Sequence, residues 1–402
     1  MVTARRQNIR QISLNRRYGA LFARERVRIR QLLRQALALF VAAENQDDED
    51  EASNLRHLGV MVVIVVIRIR RDRTILPPTI RSGTIVIDDI SDSEAWTRYR
   101  FHKPDLRRLF EAFKFPEERI QMRNGGRYPS ESAFLLVIRR LRYPGRWQDL
   151  QAEFGREITQ LSRIFNEVID WMHEHHHHRV EACLEFFSSR LPQMCKKTEE
   201  KGGMACEGGN FIGFIDGTLR RNCPPGGEHE VQEQMYDGHH CAHGLAWQSV
   251  VFPDGMVEIW GPEMGRRHDA LLLSRSGLNG RLASMQAGNP VQYKVYEDAA
   301  YPILSHVDRG FRGANLTVAQ RAYNRELSKV RVSVEWQFGK IVNVFPFIDF
   351  KKNLKVRLQP VAKYYAVAVL LSNAHTCLYG SVTSHYFDMM PPTLESYFDF
   401  QG

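Results

Sequence analysis

Between Arg98 and about Arg190 the apolar positions recur every three or four residues, the spacing of helices with one buried face. Leu106, Leu109, Phe110 and Phe113 follow Pro104-Asp105, which predicts one helix. Phe134, Leu135, Val137, Ile138 and Leu141 predict a second, with Ser130 as its N-cap and a stop near Tyr143-Pro144-Gly145. A short helix over Trp147–Phe154 and a longer one over Gln160–Met172, capped by Thr159, are then joined by Gly155-Arg156-Glu157-Ile158. Two helices about a short turn containing Gly are the helix-turn-helix pattern, in which the front of the second helix meets the DNA bases. That front carries Thr159, Gln160, Ser162 and Arg163, with Asn166 one turn on. An ordinary helical hairpin has the same pattern.

From Phe211 the pattern changes to short apolar runs bounded by turn residues, the signature of strands. These are Phe211–Ile215, Ala246–Phe252, Met256–Trp260 and Gln292–Tyr296, the middle two forming a hairpin about Pro253-Asp254-Gly255. Ala270–Leu273 is an apolar helical stretch. Thr317–Val342 predicts a long helix with Val330, Val334 and Phe338 along one stripe.

Residues 1–97 are uneven. Met1–Gln35 holds ten arginines and one acid, Glu25, and an acidic run follows at Asp47-Asp48-Glu49-Asp50-Glu51. Blocks of like charge predict a poorly ordered basic and acidic region that could touch nucleic acid or serve as a nuclear address. Within it, Leu58–Ile67 (LGVMVVIVVI) falls short of the roughly 20 residues a spanning helix needs and reads as a strand or a sticky segment. Ile87–Ala95 leads into the folded part. His173-Glu174-His175-His176-His177-His178 reads as a solvated helix end, because consecutive helical residues point apart and cannot close on one ion. Gln193–Gly209, polar and Gly-rich, reads as a linker.

A net charge of +9 and a pI near 9.3 favour a polyanionic partner, although a surplus of surface arginine gives the same totals. The six cysteines show no CxxC spacing and no secretory apolar segment opens the chain, so free thiols in a reducing, intracellular compartment are expected.

The candidate chemistry lies in three acids. Asp216 ends the Phe211–Ile215 run, where an ionised carboxylate needs a metal or a cation beside it. Asp298 repeats that design after Gln292–Tyr296, and the carboxyl ends of strands in an open sheet are where sites assemble. Glu335 sits beside the apolar stripe of the long helix, among Arg325, Lys329, Arg331 and Lys340. Asp269, which follows Gly265-Arg266-Arg267-His268, either caps a helix or joins the pocket of Asp216 as an additional acid, the cap being favoured. Cys223, His239, His240, Cys241 and His243 could hold zinc, but at no standard spacing.

On these residues the chain resembles PIF/Harbinger-type DDE transposases and the nucleases derived from them. The matching pieces are FIDGT with a downstream PP, FPDG, GRRHD, EDAAYP and AYNRELSKVRVSVEWQFGK, spread over about residues 100–380. Histidines stand in Tyr236–Gly244 where relatives often carry lysine. The resemblance implies an RNase H-like α/β nuclease domain, a mixed sheet flanked by helices, preceded by an all-α helix-turn-helix region. Asp216, Asp298 and Glu335 would be its catalytic and metal-holding triad.

The expected organisation is an N-terminal region over 1–97, the helix-turn-helix region over 98–192, a linker over 193–210, the nuclease over 211–380 and a tail over 381–402. Two Mg²⁺ or Mn²⁺ ions about 3.5–4 Å apart would activate water and stabilise the leaving oxygen. Asp216 would bridge them, Asp298 would hold one, and Glu335 the other or a bound water. Arg220, Arg221, Arg266, Arg267 and His268 are candidate phosphate contacts. The expected substrate is double-stranded DNA, cleaved and then joined to a target in a transposase. A nuclear location, a separate Myb-like accessory protein and a homo-oligomer belong to the same expectation, and no membrane does. A domesticated protein that binds DNA without cutting it, and a phosphohydrolase of small substrates, are the alternative classes.

Overall fold

The computed structural model describes residues 31–32, 34–46, 48–72, 84–115, 118–181, 183–202, 209–227, 229–297 and 301–400, without the side chains of 64–72. By their contacts, residues 1–80 and 81–402 form separate units.

In the first unit, Leu58–Ile67 lies inside helix α1 (Glu49–Asp72) and is neither strand nor irregular. The acidic run starts that helix: Asp48 Oδ1 accepts from the Asp50 amide at 2.9 Å, and Glu49, Asp50 and Glu51 fill the first turn, where the helix dipole favours negative charge. Gly59 lets the Phe40 ring of the preceding helical segment pack directly on α1.

The second unit begins earlier than the pattern suggests. Ile87, Ile90 and Ala95 are buried, and α2 (Asp92–Tyr99) opens with a capping box between Ser91 and Glu94. Then come α3 (Lys103–Ala112), a hairpin of β1 (Arg119–Gln121) and β2 (Arg127–Pro129), α4 (Ser130–Arg142), α5 (Trp147–Phe154) and α6 (Ile158–His176). Ser130 is the buried first residue of α4, with Pro129 at the N-cap, and α6 starts after Glu157 with Thr159 in its first turn. Both corrections shift a helix start by one or two residues. The histidine run is not uniformly solvated. His176 is buried edge-on against Phe113, and burial with the neighbouring Arg179 charge pushes its pKa down to about 3. The stretch from Gln193 is mostly helix: α7 (Leu191–Gly202) buries Leu191, Met194, Cys195 and Thr198. Residues 203–208, Cys206 among them, lie outside the described residues, and the other five cysteines are free.

The sheet is built on β3 (Phe211–Arg221). After α8 (His229–Met235) and β4 (Tyr236–Asp237), β5 (Ala242–Val251) pairs antiparallel with β3, matching Asp216 to Ser249. The Phe252–Gly255 turn, with Gly255 at a φ of 80°, returns the chain as β6 (Val257–Met264). Helices α9 (Asp269–Ser276) and α10 (Leu278–Met285) lead to β7 (Lys294–Glu297), which runs parallel to β3, and β8 (Val307–Arg309) runs parallel to β7. The order is β6-β5-β3-β7-β8, with β4 at the start of β5. It is a mixed sheet flanked by helices.

The long helix α11 (Val318–Val344) and α12 (Val361–Tyr379) pack on the face of the sheet that carries Asp216, while α9 and α10 pack on the other. Lys340 fixes α11 to the end of α12, its ammonium donating to Thr376 Oγ1 at 2.7 Å and to the Gly380 carbonyl at 2.8 Å. The C-terminal stretch is part of the core. Helices α13 (Val382–Tyr386) and α14 (Leu394–Asp399) bury Phe387, Leu394, Tyr397 and Phe398, and Glu395 pairs with Arg108 at 2.7 Å. No helix among the described residues is long and apolar enough to cross a membrane.

The β5–β6 turn contains a titratable strain. Asp254 is fully buried, 3.3 Å from Arg190, and burial pushes its carboxyl up to about 6. An unfolded carboxyl titrates near pH 3.9, so between about pH 4 and pH 6 the native state holds more protons than the unfolded one. The contribution of this group to stability falls as pH rises through that window, by about 2–3 kcal/mol, while buried His176, with its depressed pKa, contributes in the opposite sense. Urea unfolding at about pH 4 and pH 6.5 should therefore give Asp254→Asn a change with pH more positive than the wild type's by about that amount, His176 being common to both. Equal responses would remove Asp254 as the cause.

Candidate active site

Strand β3 has a packed neighbour on every side until its sixth residue. Phe211, Ile212, Phe214 and Ile215 are buried, and Asp216 is the first side chain to reach solvent, about a quarter exposed. Its Oδ1 accepts from the Gly217 amide at 2.9 Å, and its Oδ2 accepts from Arg331 Nη1 at 3.2 Å. Arg331 lies on α11 and reaches a second carboxylate with its other nitrogen, Nη2 standing 3.8 Å from Glu335 Oε1. Helical spacing explains the second contact, since residues four apart share a face. The first arises because α11 lies across β3. One guanidinium therefore links Asp216 to Glu335. Glu335 itself is exposed, beside the buried Val334 and Gln337.

Asp298 lies outside the described residues, which stop at Glu297, the last residue of β7. Glu297 is fully buried. Buried Tyr301 lies near it, and burial, with the charges of Asp269, Glu297 and Asp216, raises the phenol far above its usual range.

Asp269 does not cap its helix. His268 occupies the N-cap position without a side-chain bond, and Asp269 is the first helical residue. Its carboxylate packs over Gly217, where a β-carbon would collide with it. Successive strand residues face opposite sides, so Asp269 lies on the side of β3 away from the Asp216 side chain.

Of the candidate phosphate contacts, Arg220 folds back over the Tyr365 ring, 5.1 Å from its centre, and donates to Thr218 Oγ1. Arg221 is exposed at the strand end. Arg266, Arg267 and His268 are exposed and, with Gln234 and Leu271, line a cavity of about 400 Å³. On α6, Thr159, Gln160 and Arg163 are exposed and Ser162 half-buried, whereas Asn166 accepts a hydrogen bond from the Tyr364 hydroxyl inside the fold. The cysteines and histidines of 223–243 do not converge. Cys223 points at the Lys351 carbonyl, His240 pairs with Asp237 at 2.6 Å, and His243 packs edge-on against Tyr236.

Asp216, Arg331 and Glu335 lie in a stretch that matches a known family. Residues 215–373 match the family model described as DDE superfamily endonuclease. The match starts one residue before Asp216, spans Arg331 and Glu335, and ends within α12. It supports a transposase-type nuclease with DNA as substrate. No curated protein and no solved structure matches the chain.

A divalent ion would find hard oxygen donors here. Two carboxylates already converge on one cation, the Arg331 guanidinium, and Mg²⁺ takes carboxylate and water oxygens. Among the described residues no group of three acids, histidines or cysteines is close enough to hold an ion. The Asp216–Arg331 contact is half-buried, and a double-mutant cycle between Asp216→Asn and Arg331→Met should give a coupling of about 0.5–1 kcal/mol that shrinks with added salt. Strict additivity in thermal or urea unfolding would show that the pair does not form.

Proposed function

We propose that the chain is a metal-dependent DNA endonuclease of the DDE type, with Asp216, Asp298 and Glu335 as its acids. The observation that carries this reading is the meeting of Asp216 and Glu335, 119 positions apart in the chain, at a single cation. The sheet order β6-β5-β3-β7-β8 suits an RNase H-like domain. Parallel pairing of β3 with β7, which matches Phe214 to Tyr296, supports Asp298 as the partner of Asp216.

In this reading Asp216 and Glu335 hold Mg²⁺ or Mn²⁺ together with Asp298. Bound there, two such ions supply an activated water and a stabilised leaving oxygen. Asp216 is fixed for the task by the Gly217 amide, and Glu335 by the rigid α11, whose far half is anchored through Lys340. Arg331 holds the two carboxylates at one place in the absence of an ion. The exposed Arg221, Arg266, Arg267 and His268 offer cations to phosphates, and helix α6 presents Gln160 and Arg163 to a duplex as the second helix of a helix-turn-helix. Strand transfer, a nuclear location, a Myb-like accessory protein and self-association rest on the resemblance of the motifs.

The Arg331 bridge also favours a second reading, in which the neutralised acids are relics and the protein binds DNA without cutting it. Supercoiled plasmid incubated with Mg²⁺ or Mn²⁺ separates the two. The nuclease predicts nicking by the wild type and a loss of at least about 100-fold in Asp216→Asn, Asp298→Asn and Glu335→Gln. No metal-dependent nicking, or nicking unaffected by all three substitutions, would leave the binding protein.

A further inference from the structure

A second basic cleft lies within the helical part of the fold. The hairpin of β1 and β2 turns at Asn124-Gly125-Gly126, with Gly125 at a φ of 79°, and stands beside the start of α6. Between them is a cavity of about 140 Å³ whose polar lining is Asn124, Arg127, Arg156, Gln160 and Arg163. These residues come from three places: the hairpin, the α5–α6 turn, and the first two turns of α6.

What distinguishes this cleft is that several cations share it. Many arginines elsewhere in the helical part sit beside acids, Arg98 and Arg139 on Glu153, Arg107 on Glu131, Arg108 on Asp105 and Glu395, and Arg146 on Asp149. Arg140 lies over the Trp147 and Phe347 rings. Arg127, Arg156 and Arg163 make no ion pair among the described residues, and three cations lining one cavity repel each other; Glu167, one turn beyond Arg163, already accepts from the Arg123 amide. Arg156 is held in place by the Tyr128 ring, 5.6 Å away. The hairpin is fixed to α6 as well, since the Arg123 amide donates to Glu167 at 2.7 Å and its guanidinium pairs with Asp170 at 2.9 Å. The backbone that carries the cations is therefore braced before anything binds.

We infer that this cleft is a binding site for the backbone phosphates of duplex DNA, with the β1–β2 hairpin flanking a helix α6 docked in the major groove. The cavity has room for about four or five waters by liquid volume, enough to admit a phosphate group. Arginine forks are suited to phosphate oxygens. The exposed Thr159, Gln160 and Arg163 beside it make up a helix front, which the major groove of B-form DNA admits and the deep, narrow one of duplex RNA does not. The inference deepens the DNA-binding part of the proposed function and is independent of cleavage.

The test is fluorescence anisotropy of the full chain with a short mixed-sequence DNA duplex, in chelator, over salt from about 50 to about 200 mM. Removing one arginine that neutralises a phosphate should make the slope of log K against log salt shallower by about 0.9. Arg127→Ala/Arg163→Ala should therefore lose nearly two units of slope, with weaker binding throughout. Arg127→Lys/Arg163→Lys should keep the slope, and Arg108→Ala, which removes a paired arginine, should match the wild type. The binding is read in chelator, where no metal-dependent cleavage occurs, so failure of the nuclease reading shows in the plasmid assay and not here. An unchanged slope in the folded double alanine variant overturns the inference. So does absence of duplex binding by the wild type, or tighter binding of the same sequence as duplex RNA.

Discussion

Strand β3 can change character only once. It is held between an antiparallel and a parallel neighbour, with helices on both faces, so its first five residues must be apolar or glycine. The first position where the strand meets solvent is therefore the first that can carry a charge at tolerable cost. Asp216 occupies it. Gly217, immediately after, leaves the space that the Asp269 carboxylate fills on the opposite face. The position of one acid thus follows from the packing of five residues, and the absence of a side chain next to it follows from the packing of α9.

Electrostatics then ties the sheet to the long helix. A carboxylate at the edge of a core is stabilised by a nearby cation, and Arg331 provides one from α11 while also reaching Glu335. This arrangement couples two functions that are usually separate, holding the helix on the strand and holding the acids near one another. An ion at these acids would meet a position already shaped for positive charge, with an arginine that would have to give way or share. Lys340, half-buried further along the same helix, steadies the end that the site does not use.

Much of this could be read from the residue pattern, and the gaps have physical causes. The strands and Asp216 were legible because apolar runs between turn residues leave little freedom of interpretation. The Arg331 bridge was not, since it joins residues 115 apart and depends on where α11 crosses the sheet. Leu58–Ile67 is rich in β-branched residues, yet it lies in a helix with an acidic first turn; context outweighed local preference. The stretch that reads as a linker hides helical spacing, Met194, Cys195 and Thr198 following Leu191 just before it, among lysines and glutamates. Leu394, Tyr397 and Phe398 repeat that spacing in the expected tail. The β1–β2 hairpin had the strongest short-range signal, Asn-Gly between β-prone segments, but its strands are only three residues long.

Helix α6 carries one more property in the order of its charges. Arg163, Glu167, Asp170 and Glu174 follow one another along the same side of the helix, so that side begins positive and ends negative. Arg123 and Lys363 compensate the acids only in part. For a polyanion at the front of the helix, that gradient would favour the first two turns over the rest and would limit how far along it a nucleic acid could sit.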